Sequence, residues 1–282
     1  MDLFNKEYEE YIEVQGIKLH TMIFGSGDPI FLLHGFPDFW YGWKNIILGL
    51  KDQYKLIVPD LRGYNLSDKP DGEQNYKLDI LLKDIKQLAK KLNISKFSLV
   101  GHDWGGAISW AFAEKFPELL NKLIIINAPH PKIFRKKIES SKKQKRSSGY
   151  IFQMLKPGGE EAFYRNDFQL LKFAIFQNTR NKEAFSEFDK QKYIEAWSQP
   201  GSILGGVNYY RANTKMEGLT GIIKVPTLVI FGMKDNYVRP GVLEGLDEYV
   251  ENLTIIRVEN ASHWVMHDDP EIAISAIKDF IK

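Results

Sequence analysis

Three residues able to do chemistry together stand in the order Asp103, Asp235, His263, each just past an apolar run of β-strand character. Ligands of open α/β sheets bind beyond the carboxyl ends of strands, so residues placed this way can meet in one site. Around the first of them the chain reads Gly101-His102-Asp103-Trp104-Gly105-Gly106, a strand, a sharp turn and a helix start. In a Gly-x-nucleophile-x-Gly turn the glycines let strand and helix pack closely while the turn exposes the central side chain. Here that side chain is a carboxylate. A serine displacing a group from a saturated carbon leaves an ether that the site cannot hydrolyse, whereas a carboxylate leaves an ester that water can cleave. The electrophile expected for Asp103 is therefore a saturated carbon, in an epoxide or an alkyl halide. His263 would activate the water, and Asp235 would fix its tautomer and stabilise the imidazolium. A lone aspartate before a helix more often serves as a turn or N-cap residue, but the strand, the helix and both glycines together favour the nucleophile. His267, one helical turn beyond His263, is the competing base and lies closer to the cap of the final helix.

The elements that must position these residues follow in chain order. Glu10 to Val14 and Lys18 to Phe24 read as a hairpin turning at Gln15-Gly16. Ile30 to Leu33 is a continuous apolar run, the pattern of a central strand buried on both faces, and it ends at His34-Gly35-Phe36-Pro37. That loop can offer the Phe36 N–H, with the Trp104 N–H, as an oxyanion hole. Tyr54 to Pro59 is a strand followed by Asp60, Arg62 and Asp68, which are expected to pair structurally beneath the site. Leu78 to Leu92 carries apolar residues at helical spacing. The elbow strand, Leu123 to Ile126, Val225 to Gly232 and Leu253 to Val258 complete eight strands, and Asp269-Pro270 opens a final amphipathic helix. Between Pro131 and Lys215 there are helical patterns and no buried strand. The expected organisation is an α/β core from 1–130, a helical cap from 131–215 and the rest of the core from 216–282.

The 282 residues suffice for a large core, and 44% of them are hydrophobic. With 38 basic and 36 acidic residues the net charge is +2, which implies no nucleic-acid partner. Lys132 to Ser148 holds eight basic residues and one acidic, Glu139, a segment read as a solvated helix and loop rather than an anionic-surface patch. Cysteine is absent, which excludes disulfides and cysteine nucleophiles. His20, His34, His102 and His130 are scattered without metal-ligand spacing, so neither a metal nor a cofactor is expected. The first residues have no signal-peptide pattern, and no run reaches the roughly 18 apolar residues that span a membrane. A cytoplasmic location without membrane attachment is the expectation.

His34-Gly35-Phe36-Pro37, Gly101-His102-Asp103-Trp104-Gly105-Gly106, Asn127-Ala128-Pro129-His130-Pro131 and Asn208-Tyr209-Tyr210-Arg211 together resemble the α/β-hydrolase-fold epoxide hydrolases over essentially the whole chain. The resemblance implies a mostly parallel eight-stranded sheet with an inserted helical cap, and hydrolysis of an epoxide to a vicinal diol. It also implies two cap tyrosines that donate hydrogen bonds to the epoxide oxygen. Tyr210 matches one, in its Asn-aromatic-Tyr-Arg setting, and Tyr150 matches the other, ahead of Pro157-Gly158. On the residues alone these are two of 13 tyrosines, and Tyr209 would replace Tyr210 on a rotated helix. Haloalkane and fluoroacetate dehalogenases share the aspartate. The former often place an asparagine where Phe36 stands, and the latter carry an arginine where Trp104 stands. A phenol pair suits an alkoxide that needs a proton, which a halide does not. A dehalogenase and a non-catalytic small-ligand receptor of the same fold remain the alternatives. The expected partners are a small apolar epoxide and water, and a homodimer is left open; Phe152, Met154, Phe173, Phe176 and Trp197 suggest an apolar lining, although aromatic residues at helical spacing are more often core than pocket.

Overall fold

The structure is a computed structural model that describes residues 2–215, 219 and 221–282. Eight strands form one sheet in the order β1-β2-β4-β3-β5-β6-β7-β8. They are β1 (Glu9–Val14), β2 (Ile17–Phe24), β3 (Asp28–Leu33), β4 (Tyr54–Pro59), β5 (Phe97–His102), β6 (Leu120–Ile126), β7 (Thr227–Gly232) and β8 (Leu253–Val258). β1 and β2 pair antiparallel, β2 joins β4 antiparallel, and every other pairing is parallel. The continuous apolar runs occupy the middle. Ile30 to Leu33, all of β5 and all of β7 are buried, whereas the edge strands β1 and β8 are largely exposed or half-buried and each has one buried residue. Val225 and Pro226 fall just outside β7, although the Pro226 carbonyl still accepts from the Leu123 N–H.

Helices α1 (Lys44–Leu50), α2 (Leu78–Lys91) and α3 (Trp104–Lys115) lie between the strands of the first part of the sheet. The apolar face of α2, at Leu78, Leu81, Leu82, Ile85, Leu88 and Ala89, is buried as its spacing requires. From Pro131 to Ala212 the described residues form helices and loops only: α4 (Pro131–Ser140), α5 (Lys142–Ser147), α6 (Gly149–Met154), α7 (Glu161–Lys172), α8 (Glu187–Trp197) and α9 (Ser202–Ala212). α7 is broken at Arg165–Phe168, where three consecutive residues have positive φ. The expected junction at 215/216 touches residue 216, which lies outside the described residues. α10 (Val265–Asp268) and α11 (Pro270–Ile281) close the chain, α11 capped by the Asp269 side chain on the Ile272 N–H.

The expected cluster of Asp60, Arg62 and Asp68 does not form. Arg62 turns to Asp84 of α2 in a bidentate pair, both bonds 2.7 Å, buried at each end. Asp60 instead accepts from the Trp40 N–H and Asn65, and contacts His20 Nδ1 at 2.7 Å. Asp68 accepts from the Lys18 N–H. A buried guanidinium needs a carboxylate of matching fork geometry, and Asp84, three residues after Leu81 and four before Leu88, is carried to it on the apolar face. Replacing one partner strands the other. Asp84→Ala is expected to lower unfolding stability by about 3–5 kcal/mol in urea denaturation, and a loss below 1 kcal/mol would show that Arg62 finds water or another acceptor.

Candidate active site

Asp103 sits between β5 and α3 with φ 51° and ψ −120°, a conformation that side-chain-bearing residues rarely adopt. It occupies the N-cap position of α3, yet its side chain makes no capping bond. The carboxylate points instead at the end of β3. Its Oδ1 accepts from the Phe36 N–H at 2.8 Å, and its Oδ2 lies 3.6 Å from His263 Nε2. Trp104 is the first residue of α3, so its N–H is one of those a helix leaves without an internal partner.

Small residues make this approach sterically feasible. A Cβ on Gly35 would stand 2.2 Å from Asp103 Oδ1 and 2.6 Å from the Trp104 nitrogen, and one on Gly105 would stand 2.0 Å from the Leu33 carbonyl oxygen. Real Cβ atoms do not tolerate such contacts, so only glycine lets the two strand ends meet here.

His263 follows β8, and Asp235 follows β7. His263 Nδ1 lies 2.7 Å from Asp235 Oδ2, leaving Nε2 for Asp103. Asp235 is held by four donors or contacts: its Oδ1 accepts from the Tyr237 and Val238 N–H groups, and its Oδ2 accepts from Asn127 Nδ2 while facing the imidazole. Asn127 in turn accepts from the Gly232 N–H. Burial alone would lower the His263 pKa, but the Asp235 and Asp103 carboxylates outweigh it and raise the pKa to about 10. Burial would likewise raise the Asp103 pKa, and the bonds to His263 and Phe36 hold it below the usual carboxylate range. His267 is elsewhere. Its ring packs against Phe185, neither nitrogen has a hydrogen-bond partner, and burial together with Lys44 lowers its pKa to about 3.

A cavity of about 410 Å³ opens above Asp103 and Trp104, and Tyr150 and Tyr210 both line it. The two phenol rings meet edge to face at 6.1 Å, and Tyr210 packs in the same way on Trp104 at 5.0 Å. Tyr209 points the other way, its hydroxyl donating to the Arg62 carbonyl at 2.8 Å. Arg211 ties the two phenol-bearing helices together: its guanidinium donates to the Met154 and Lys156 carbonyls at the end of α6 and to Glu160. Burial raises the pKa of both phenols, and the nearby Asp103 charge adds to it, so each stays protonated and able to donate.

Residues 28–270 match the alpha/beta hydrolase fold family. The chain is 38% identical over 282 residues to human epoxide hydrolase 4, covering 96% of this chain and 77% of that protein. The crystal structure of Bacillus megaterium epoxide hydrolase in complex with an inhibitor superposes with a TM-score of 0.92 at 34% identity, covering 96% of this chain and 99% of that one. The chain belongs to the epoxide hydrolase family of α/β-hydrolases. It is also 39% identical to the AB hydrolase superfamily protein YfhM of Bacillus subtilis (strain 168), over 97% of both chains.

The five apolar cap residues weighed between cavity lining and core fall mostly outside the cavity. Among the five residues named from the sequence, Phe152 lines the cavity; Met154 and Trp197 are buried in the core, Phe176 packs on Phe185 and Tyr193, and Phe173 is 53% exposed. Helical spacing marks a buried face without saying whether helix or ligand covers it. Asn127, which the sequence marks only as the first residue of the Asn127-Ala128-Pro129-His130-Pro131 motif, takes a left-handed backbone (φ 43°) and turns its side chain to Asp235. Among the described residues no group of three or more metal-ligating side chains is found, and no helix is long and apolar enough to cross a membrane.

Two carboxylates share one imidazole, so neutralising one must lower its pKa. In Asp103→Asn the His263 pKa is expected to fall by about 1–3 pH units in a histidine NMR titration, and an unchanged value would show that Asp235 alone holds the proton.

Proposed function

We propose that the protein hydrolyses an epoxide to a vicinal diol through a covalent ester on Asp103, within a core closed by the helical cap at 131–215. The observation that carries the reading is one carboxylate held between the Phe36 N–H and His263 Nε2 on the floor of a cavity that two phenols enter from above. A relative supports the product class: the F128A mutant of the Bacillus megaterium enzyme, 33% identical with a TM-score of 0.91, was solved with its product (R)-3-[1]naphthyloxy-propane-1,2-diol.

In the first step Asp103 attacks a ring carbon. The C–O bond breaks toward oxygen, and Tyr150 and Tyr210 donate hydrogen bonds to the oxygen as it becomes an alkoxide. Ester formation removes the Asp103 charge, so one of the two carboxylates that keep His263 protonated is gone. The imidazolium then yields its proton to the alkoxide through the phenols or water and is left neutral, ready to act as base. In the second step it takes a proton from water while the hydroxide attacks the ester carbonyl carbon. The Phe36 and Trp104 N–H groups hold the resulting oxyanion. Collapse expels the product as an alkoxide, which takes the imidazolium proton to become the diol, and the carboxylic acid left on Asp103 passes its own proton to His263. The carboxylate and imidazolium are restored.

A basic alkoxide favours this reading over loss of a halide, because two protonated phenols serve an oxygen leaving group and are superfluous to bromide or chloride. His263→Gln is expected to trap the ester: incubation with styrene oxide should raise the intact mass by one substrate, mapping to the peptide bearing Asp103. Adding Tyr150→Phe and Tyr210→Phe should slow that alkylation by about 100- to 10,000-fold. Trapping at the original rate in the triple variant would remove the phenols from the mechanism, while halide release from a bromoalkane in preference to diol formation would identify a dehalogenase.

A further inference from the structure

The Phe36 N–H belongs to a tight turn in which the Asp38 N–H donates to the Gly35 carbonyl. The turn bears on α8 through a ladder of bonds from one face of that helix. Asp189, Tyr193 and Trp197 are spaced four apart and therefore project from the same side. The Trp197 indole N–H donates to the Pro37 carbonyl at 2.7 Å, and the Tyr193 hydroxyl donates to Asp38 Oδ1 at 2.9 Å. Asp189 accepts from the Tyr41 hydroxyl at 2.8 Å and pairs with Lys44 at 2.7 Å. The helix itself is fixed at its start by a capping box between Ser186 and Asp189.

From these contacts we infer that Tyr193 and Trp197 are positioning residues for the oxyanion hole: by gripping Pro37 and Asp38, α8 holds the Phe36 N–H on Asp103. The inference rests on the ester mechanism proposed above. Pro37 and Asp38 follow Phe36 directly, so the two bonds act on the peptide units next to the donor. Both are buried, and Asp38 Oδ1 also accepts from the Phe39 N–H at 2.9 Å, so loss of the Tyr193 hydroxyl leaves a buried carboxylate under-bonded where solvent is a poor substitute. The Tyr193 ring also packs edge-on against Phe39 at 5.1 Å. The helical cap thus does two things: it brings phenols to the substrate from one side and steadies the backbone donor from another.

Loosening this donor weakens the step in which the oxyanion forms, hydrolysis of the ester, more than the alkylation that precedes it. Tyr193→Phe and Trp197→Phe remove one polar hydrogen each and keep an aromatic ring. In the double variant kcat and KM are expected to fall together by about 10- to 100-fold, with kcat/KM kept and the fraction of enzyme held as the Asp103 ester at steady state raised. Tyr193→Phe alone should show the same pattern more weakly, which keeps the test available should the double variant not fold. A merely structural role lowers kcat with KM unchanged and no added ester, and that result would overturn the inference. His263→Gln serves as the reference: if it accumulates ester and the ladder variants do not, the inference fails while the mechanism stands, and if it too forms no ester, the mechanism itself has failed.

Discussion

The site depends on a contact between two backbones, where the turn after β3 presses against the turn after β5. Asp103 has a backbone conformation of the kind that costs on the order of 1–3 kcal/mol and persists only where its surroundings over-determine it. The surroundings here are the Leu33 carbonyl against Gly105, Gly35 against the Asp103 carboxylate, and the Phe36 N–H bound to Oδ1. This explains why the aspartate does not cap its own helix. Its carboxylate is turned away from the α3 amides toward a donor supplied by another strand, and that leaves it at the floor of the cavity.

Charge placement gives the proposed cycle its direction. Asp103 and Asp235 together raise the His263 pKa to about 10, so the resting imidazole stores a proton. A general base that begins protonated is of no use until something releases that proton. In the proposed cycle the release is coupled to chemistry, because alkylation removes the Asp103 charge and only then is the base freed. Asp235 is held in place by two backbone N–H groups and Asn127, and in the proposed cycle it orients the ring in both steps.

Much of this was legible in the chain. Ile30 to Leu33, the elbow strand and the β7 run declare central strands because residues buried on both faces must all be apolar, and the order Asp103, Asp235, His263 at three strand exits follows from that topology. What stayed hidden were pairings that the fold alone creates. Nothing in the order of residues says that Arg62 will choose Asp84 over Asp60, since the choice is made by the packing of α2 on the sheet. Tyr209 and Tyr210 are neighbours separated by about 100° of helical turn, so one faces Arg62 and the other the cavity; no local signal fixes the rotation. The ladder on α8 has regular four-residue spacing, but its partners at 37 to 44 are brought to it by tertiary structure.

Whether Asp103 bonds to the substrate is answered by the origin of one oxygen atom. With enzyme in excess over an epoxide in water enriched in oxygen-18, a single turnover should give a diol that carries ordinary oxygen taken from the Asp103 carboxylate, with the label appearing in the peptide that contains Asp103. A first-turnover diol that carries the label, from an enzyme whose Asp103 stays unlabelled, would mean that water attacks the epoxide directly and that the carboxylate is not a nucleophile.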